Sequence, residues 1–120
     1  LALNKQQKDA IQLNERAEYA KEQFNKLFWN QGKGYLYDNI DENGSPVDEL
    51  RPNQLFAISL PFALMDDKKK VKSILSVIEK ELYTPVGLRT LPQNDEHYVH
   101  KYGGDQWHRD SAYHEGTVWS

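Results

Sequence analysis

Apolar residues in the first quarter of the chain recur at the spacing of an α-helix. Over residues 5–28 an apolar side chain returns every three or four positions, at Ala10, Leu13, Ala17, Ala20, Phe24 and Leu27. Such a stripe lies along one face of a helix, and most positions between are charged or polar. The pattern predicts an amphipathic helix over residues 5–28, which the segment QGKG at residues 31–34 ends.

The next segment has the pattern of a small β-hairpin. Residues 35–37, with the sequence YLY, are predicted to form a short strand, and DENG at residues 41–44 favours a tight turn. This turn lacks the alternating oxygen ligands and the terminal glutamate of an acidic calcium loop. We therefore expect a hairpin here.

Two more helices are predicted before residue 84. One begins near Pro52, because proline is tolerated at the first helical position, and continues through residues 55–65. That segment is apolar on all sides, which is typical of a helix surrounded by other elements, and Pro61 predicts a kink or break in it. The other helix runs from about Asp67 to Tyr83. Its apolar stripe consists of Val71, Ile74, Leu75, Ile78 and Leu82.

The rest of the chain is predicted to be a long loop followed by a new helix. Residues 84–115 have no helical period, and a loop of this length in a compact domain is usually functional. An apolar segment begins at Val118 and predicts a further helix. The alternation of amphipathic and fully apolar helices predicts an all-α toroid with inner and outer helices. We expect residues 1–120 to be a partial domain of this kind, a fragment truncated at both ends.

Composition narrows the classes of partner. The net charge of −3 provides no basic face for nucleic acid, and no apolar run approaches the ~20 residues of a membrane span. The apolar fraction of 38% is low for an isolated domain, so we expect missing packing partners. An open segment of a toroid exposes its inner helix to water, so we also expect self-association of the fragment. The absence of cysteine agrees with a reducing compartment, and we expect a cytoplasmic location.

Residues 98–119 combine flat aromatic rings with short polar side chains. Aromatic rings stack on the C–H faces of sugars, while Asp, Arg, Asn and His side chains hold hydroxyls by paired hydrogen bonds. In a toroid, residues 51–54, 87–92 and 116–119 should meet at one rim, which predicts a carbohydrate site there. Alternatively, Arg51 pairs with Asp48 or Glu49, while Asn53 and Gln54 satisfy the helix end.

Candidate catalytic and metal-binding groups lie in the same stretch. Asp105, Asp110 and Glu115 are carboxylates of the kind that glycoside hydrolysis uses in pairs. Alternatively, they orient Arg and Tyr side chains or cap the following helix. His97, His100, His108 and His114 are spaced 3, 8 and 6 apart and have no cysteine beside them, so we expect no metal site.

The ordered set of short motifs resembles the C-terminal amylo-α-1,6-glucosidase region of prokaryotic glycogen debranching enzymes. The motifs are FW at 28, GYLYD at 34, RPNQLFA at 51, LPF at 60, ELYTP at 81, GLRTL at 87, YGGD at 102, YH at 113 and GTVW at 116. Two positions depart from the pattern: Glu115 stands where many relatives have Gln, and Ser120 stands where Pro usually follows the Trp. Glu115 is therefore not expected to be a shared catalytic base.

The resemblance implies an (α/α)6 toroid that hydrolyses α-1,6-linked glucose at glycogen branches by inversion, without a cofactor. It places the catalytic acid in a Trp-Met-Asp segment upstream and the base on a Glu downstream, so no catalytic residue is expected within this chain. We expect residues 1–120 alone to lack hydrolase activity and to bind a glucan oligosaccharide or glycogen. The implied substrate-binding residues are Arg51, Asn53, Gln54, Arg89, Asp110, Tyr113, His114 and Trp119.

Two other classes of protein remain open at this stage. The first is another six-hairpin sugar enzyme, such as a trehalase-like hydrolase or a sugar epimerase. The second is a non-enzymatic helical interaction module, for which Arg51, Arg89 and His114 would not cluster.

Overall fold

The computed structural model describes all 120 residues, and its helices alternate with short antiparallel strands. The helices are α1 (Lys5–Phe28), a 3-10 helix (Pro52–Leu55), α2 (Phe56–Ser59), α3 (Lys68–Glu81) and α4 (Gln106–Glu115). The strands are β1 (Trp29–Asn30), β2 (Tyr35–Leu36), β3 (Asn39–Ile40), β4 (Pro46–Val47), β5 (Tyr83–Thr84), β6 (Gly87–Arg89) and β7 (Val118–Trp119). The prediction of a helical segment is confirmed. The turn at residues 41–44 joins a hairpin of β3 and β4, but the predicted strand at residues 35–37 pairs instead with β1. Three small sheets form, where the sequence predicted one hairpin.

Helix α1 has the predicted bounds. Asn4 begins it with a capping box, in which the Asn4 side chain accepts from the Gln7 N–H and the Gln7 side chain accepts from the Asn4 N–H. No residue of this helix is buried, and only its C-terminal part, with the stacked rings of Phe24 and Phe28, packs against the core. Most of the predicted apolar stripe therefore has no partner within the chain.

The core lies between α3 and the strand β2. Ile74, Ile78 and Leu82 of the predicted stripe are buried there, against Leu36 and Met65. Leu75 was also predicted to be in the stripe, and that prediction is wrong, because its side chain is 47% exposed. Successive residues of a helix are ~100° apart, so Leu75 lies off the face that Ile74 and Ile78 share.

The second predicted helix is much shorter than its apolar segment. It begins at Pro52 as predicted, but α2 ends at Ser59, and Leu60 is already extended with a ψ of 154°. The residue before a proline is disfavoured in the helical region, so Pro61 gives a break and not a kink. Phe56, Leu60 and Phe62 are exposed, so the expected burial on all sides is not met within these residues.

Two predictions for the C-terminal part are corrected. Residues 106–115 form α4 and not a loop, with the Asp105 side chain accepting from the His108 N–H at its start. Only Ala112 of α4 is buried, so the sequence of this segment has almost no apolar period from which a helix could be predicted. Residues 118–119 form the strand β7 and not a helix, since β6 pairs with them, Leu88 opposite Trp119. No helix of the chain has the length and apolar character needed to cross a membrane.

The side chains of Tyr35, Asp48 and Lys33 form one interacting group. The Tyr35 hydroxyl donates to Asp48 at 2.8 Å, and Lys33 Nζ lies 2.7 Å from the other Asp48 oxygen. Burial alone would raise the pKa of Asp48, but the hydrogen bonds from Lys33 and Tyr35 outweigh it and hold that pKa below its usual value. Burial, followed by the contact with Asp48, raises the pKa of Tyr35 to about 12. The contacts thus favour the neutral phenol beside an ionised carboxylate.

We expect Tyr35 to ionise well above the ordinary tyrosine pKa of 10.0. Because its pKa in the folded state exceeds the ordinary value of 10.0, its contribution to stability is complete below pH 10 and is lost as the pH rises toward 12. Tyrosinate absorbance of the wild type, minus that of the Tyr35→Phe variant, should titrate near pH 12. A difference curve centred near pH 10 would contradict this prediction.

Candidate functional site

A cavity of about 390 Å³ lies where the 3-10 helix meets the C-terminal segment. Its volume is in the range of ~300–1,000 Å³ that is usual for small-molecule sites. We call it the polar cavity. It is lined by Asp38, Asn39, Glu49, Arg51, Pro52, Asn53, Thr90, His114 and Trp119. Segments far apart in the sequence therefore meet at one place, and most of the side chains they contribute are polar.

Arg51 is held by two carboxylates. Its Nε and Nη2 both donate to Glu49 Oε2, at 3.0 and 2.8 Å, and Nε lies 3.7 Å from Asp38 Oδ2. The three side chains are largely buried, so these contacts are less screened than those of a surface ion pair. The sequence left two alternatives for Arg51, a place in a sugar site or an ion pair with a neighbouring carboxylate. In the structure Arg51 does both, because it pairs with Glu49 and also lines the polar cavity.

Arg51 also caps the C-terminal end of α4. Its Nη1 donates to the carbonyl of His114 at 2.7 Å, across 63 positions of sequence. The last carbonyls of a helix lack partners within it, and a cation near them is favourable to the helix dipole. The neighbouring carbonyls of Tyr113, Glu115 and Gly116 accept from Thr117, Val99 and Tyr98. The end of α4 is therefore fixed beside the cavity.

The amides of Asn53 and Gln54 have different surroundings. Asn53 is exposed in the cavity wall, and its Nδ2 donates weakly to Asp38 Oδ1 at 3.3 Å. Gln54 is buried outside the polar cavity: its Oε1 accepts from the Leu36 N–H, and its Nε2 donates to the Arg51 carbonyl. Gln54 thus ties the 3-10 helix to β2. The alternative that Gln54 satisfies the helix end is not met, because no side chain caps the start of this helix.

Two aromatic rings stand at the C-terminal side of the cavity. Trp119 lines it, and the Tyr113 ring lies beside Trp119 with a centroid distance of 6.3 Å and an interplanar angle of 38°. Both rings are about half exposed. They leave apolar faces free next to the polar side chains, which is the combination that a sugar ring requires.

Arg89 and Asp110 lie outside the polar cavity. Residues paired across antiparallel strands point to the same face, so Arg89 shares a face with Val118, while Leu88 shares the opposite face with Trp119. Asp110 is exposed on α4. Of the eight residues expected at the site, Arg51, Asn53, His114 and Trp119 are brought together in the wall, and Tyr113 lies next to them.

Sequence reasoning did not place Asp38, Asn39 and Glu49 at the site, whereas Thr90 belongs to the segment 87–92 that was expected at the rim. Asp38 and Asn39 follow directly after the predicted strand at residues 35–37, and polar residues at a strand end were the available signal. Glu49 entered only as a partner for Arg51. No group of three or more His, Asp or Glu side chains is arranged to hold a metal ion. The cavity thus offers a guanidinium, two carboxylates, two amides, an imidazole, a hydroxyl and an indole.

Comparison with known proteins identifies the family of this chain. The sequence profile of the family described as amylo-alpha-1,6-glucosidase matches residues 1–120. The chain belongs to the amylo-alpha-1,6-glucosidase family. A glycogen debranching enzyme of Saccharomyces cerevisiae is 29% identical to it over 92 residues, which cover 70% of this chain. The matched residues amount to 6% of that protein, so the chain spans a small part of the length of this relative of the amylo-alpha-1,6-glucosidase family.

Proposed function

We propose that residues 1–120 form part of a glycogen debranching enzyme and contribute a glucan-binding wall to its α-1,6-glucosidase site. Arg51, Asn53, His114 and Trp119 share the wall of one polar cavity, and this convergence is the observation that carries the proposal. Membership in the amylo-alpha-1,6-glucosidase family supports this activity over a trehalase-like hydrolase, a sugar epimerase or a non-enzymatic helical module.

The hydrogen-bonding capacity of the wall supports a sugar ligand. A guanidinium has five N–H groups, of which Arg51 uses two on Glu49 and one on His114, so two remain for hydroxyl oxygens. Asp38 and the Asn53 amide supply acceptors for hydroxyl protons. The Trp119 ring offers a face for C–H groups, so one side of a pyranose can be held by stacking and its rim by paired hydrogen bonds.

The unpartnered apolar surfaces support the (α/α)6 toroid. The stripe of α1 and the side chains of Phe56, Leu60 and Phe62 are exposed, and neighbouring helices of a toroid would cover such surfaces. In this proposal residues 1–120 are a partial domain, and the isolated chain self-associates through the same surfaces. Sedimentation at several concentrations tests self-association, and a chain that is monomeric at every concentration would refute it.

The chemistry itself is proposed to come from outside these residues. In the family resemblance the acid and the base lie upstream and downstream, and the reaction proceeds with inversion and no cofactor. The carboxylates of Asp38 and Glu49 are both in contact with the Arg51 guanidinium, so their oxygens act as acceptors. Their part in this proposal is binding and not proton transfer.

Glucan binding without turnover tests the proposal. We expect the 120-residue chain to be retarded in gels that contain glycogen, and to release no glucose from a branched limit dextrin. The Trp119→Leu variant should lose about two- to tenfold in affinity, because stacking on a ring contributes about 0.5–1.5 kcal/mol.

The matched control for this experiment is Trp107→Leu. Trp107 lies on α4, is 72% exposed and does not line the polar cavity. Its replacement should leave retardation unchanged, with circular dichroism confirming that both variants keep their helices. Equal retardation of the two variants would exclude Trp119 from the site, and absence of retardation in the wild type would refute glucan binding by these residues.

A further inference from the structure

The carboxylate of Glu49 lies directly behind the guanidinium of Arg51. Its Oε2 accepts from both Nε and Nη2, at 3.0 and 2.8 Å, while its Oε1 lies 3.6 Å from His97 Nδ1. The Glu49 side chain is largely buried. It is therefore in contact with Arg51 on one side and with the loop that carries His97 on the other.

This contact fixes a side chain that is otherwise flexible. A free arginine samples many rotamers, and the fork of Nε and Nη2 on one carboxylate sets the plane of the guanidinium. Asp38 Oδ2, 3.7 Å from Nε, approaches the same group from a second segment. With Nη1 on the His114 carbonyl, the two N–H groups that remain have a defined direction.

We propose that Glu49 is a positioning residue, which acts through Arg51 by aiming the two free N–H groups of its guanidinium at a ligand in the polar cavity. This inference rests on the proposed glucan-binding function. Glu49 was not among the residues that the sequence suggested for the site. Its influence on affinity passes through Arg51, so it should vanish when Arg51 no longer has a fork to orient.

A double-mutant cycle in the full 120-residue chain tests this dependence, with glycogen-gel retardation as the measure of affinity. Glu49→Gln keeps the size of the side chain but loses the charge, and Arg51→Lys keeps the charge but loses the fork. We expect each single variant to bind about tenfold more weakly, which is the scale of one charge-assisted hydrogen bond. The double variant should bind no more weakly than Arg51→Lys alone. Additive losses, about a hundredfold in all, would overturn the proposal.

The control is Glu96→Gln. Glu96, like Glu49, lies near His97, but its side chain is 87% exposed and lies outside the polar cavity. Its neutralisation changes the net charge by the same amount as Glu49→Gln and should leave affinity unchanged. A loss equal to that of Glu49→Gln would assign the effect to general charge and refute positioning.

A second readout separates this inference from the proposed function. In a ¹H–¹⁵N NMR spectrum, the Arg51 Nε–H resonance, assigned by its loss in Arg51→Lys, should be slow to exchange in the wild type and fast in Glu49→Gln. An unchanged resonance would refute positioning whether or not glycogen binds. If Glu49→Gln does not fold, Glu49→Asp, which keeps an acceptor on a shorter stem, should show a partial change, and no change there would equally refute positioning. Positioning with no glycogen retardation would refute only the glucan-binding function.

Discussion

The Gly87→Ala substitution should displace Trp119 from the polar cavity and weaken glucan binding by about tenfold or more. Gly87 has a φ of +145°, and a Cβ built there would overlap the backbone carbonyl of Trp119. Because Trp119 pairs with the adjacent Leu88, the added methyl group separates β7 from β6. Glycogen-gel retardation measures the loss of binding, and Trp119 fluorescence should shift to the red as the ring becomes more exposed.

Gly44→Ala is the matched control for this experiment. Gly44 also has a positive φ, of +81°, but a Cβ there meets no atom within 4 Å. Both substitutions therefore share the cost of a positive φ, about 1–2 kcal/mol, and only Gly87→Ala adds the overlap with Trp119. Similar binding by the two variants would show that β7 does not hold Trp119 in the site.

The Ile74→Ala substitution should lower the free energy of unfolding by about 2–5 kcal/mol, while Leu75→Ala should lower it by less than about 1 kcal/mol. The two residues are neighbours on α3, but Ile74 has no exposed surface and Leu75 is 47% exposed. Removing buried methyl groups leaves a cavity in the core beside Met65, whereas truncating Leu75 removes surface that is already in contact with water.

Urea unfolding followed by circular dichroism measures both values. The Leu75→Ala variant controls for the change in helix propensity, which is nearly the same for the two substitutions because alanine replaces an aliphatic residue in each. A loss at Leu75 as large as that at Ile74 would mean that another surface covers Leu75 in solution, and would contradict its place outside the core.

The sequence predicted those elements whose local chemistry is strong. The bounds of α1 and α3 follow from apolar period together with the capping residues Asn4 and Asp67. Helix α4 was missed because its stability comes from caps and from one buried residue, Ala112, and not from a period. The strand β7 was missed because its residues pair with residues 29 and 31 positions away, and a short apolar run fits a strand or a helix equally well.

The sequence predicted which segments meet at the candidate site, but not which polar side chains contact each other there. That residues 51–54 and 116–119 approach one another followed from the expected order of helices, and Arg51 does reach His114. The roles within residues 51–54 could not be separated, because whether an amide faces a cavity or a neighbouring backbone depends on tertiary packing. Gln54 faces β2, whereas Asn53 faces the cavity.

One guanidinium serves both the end of α4 and the wall of the polar cavity, since Arg51 Nη1 donates to the His114 carbonyl while Nε and Nη2 contact Glu49. Substitutions at Arg51 and at the end of α4 are therefore expected to be coupled in evolution. A lineage that replaces Arg51 to accept a different ligand must also find a new way to terminate α4, and the segment around residue 114 should change in the same branch of the family tree. Pairs of substitutions at 51 and 113–117, and not single ones, would then record changes of ligand among homologues.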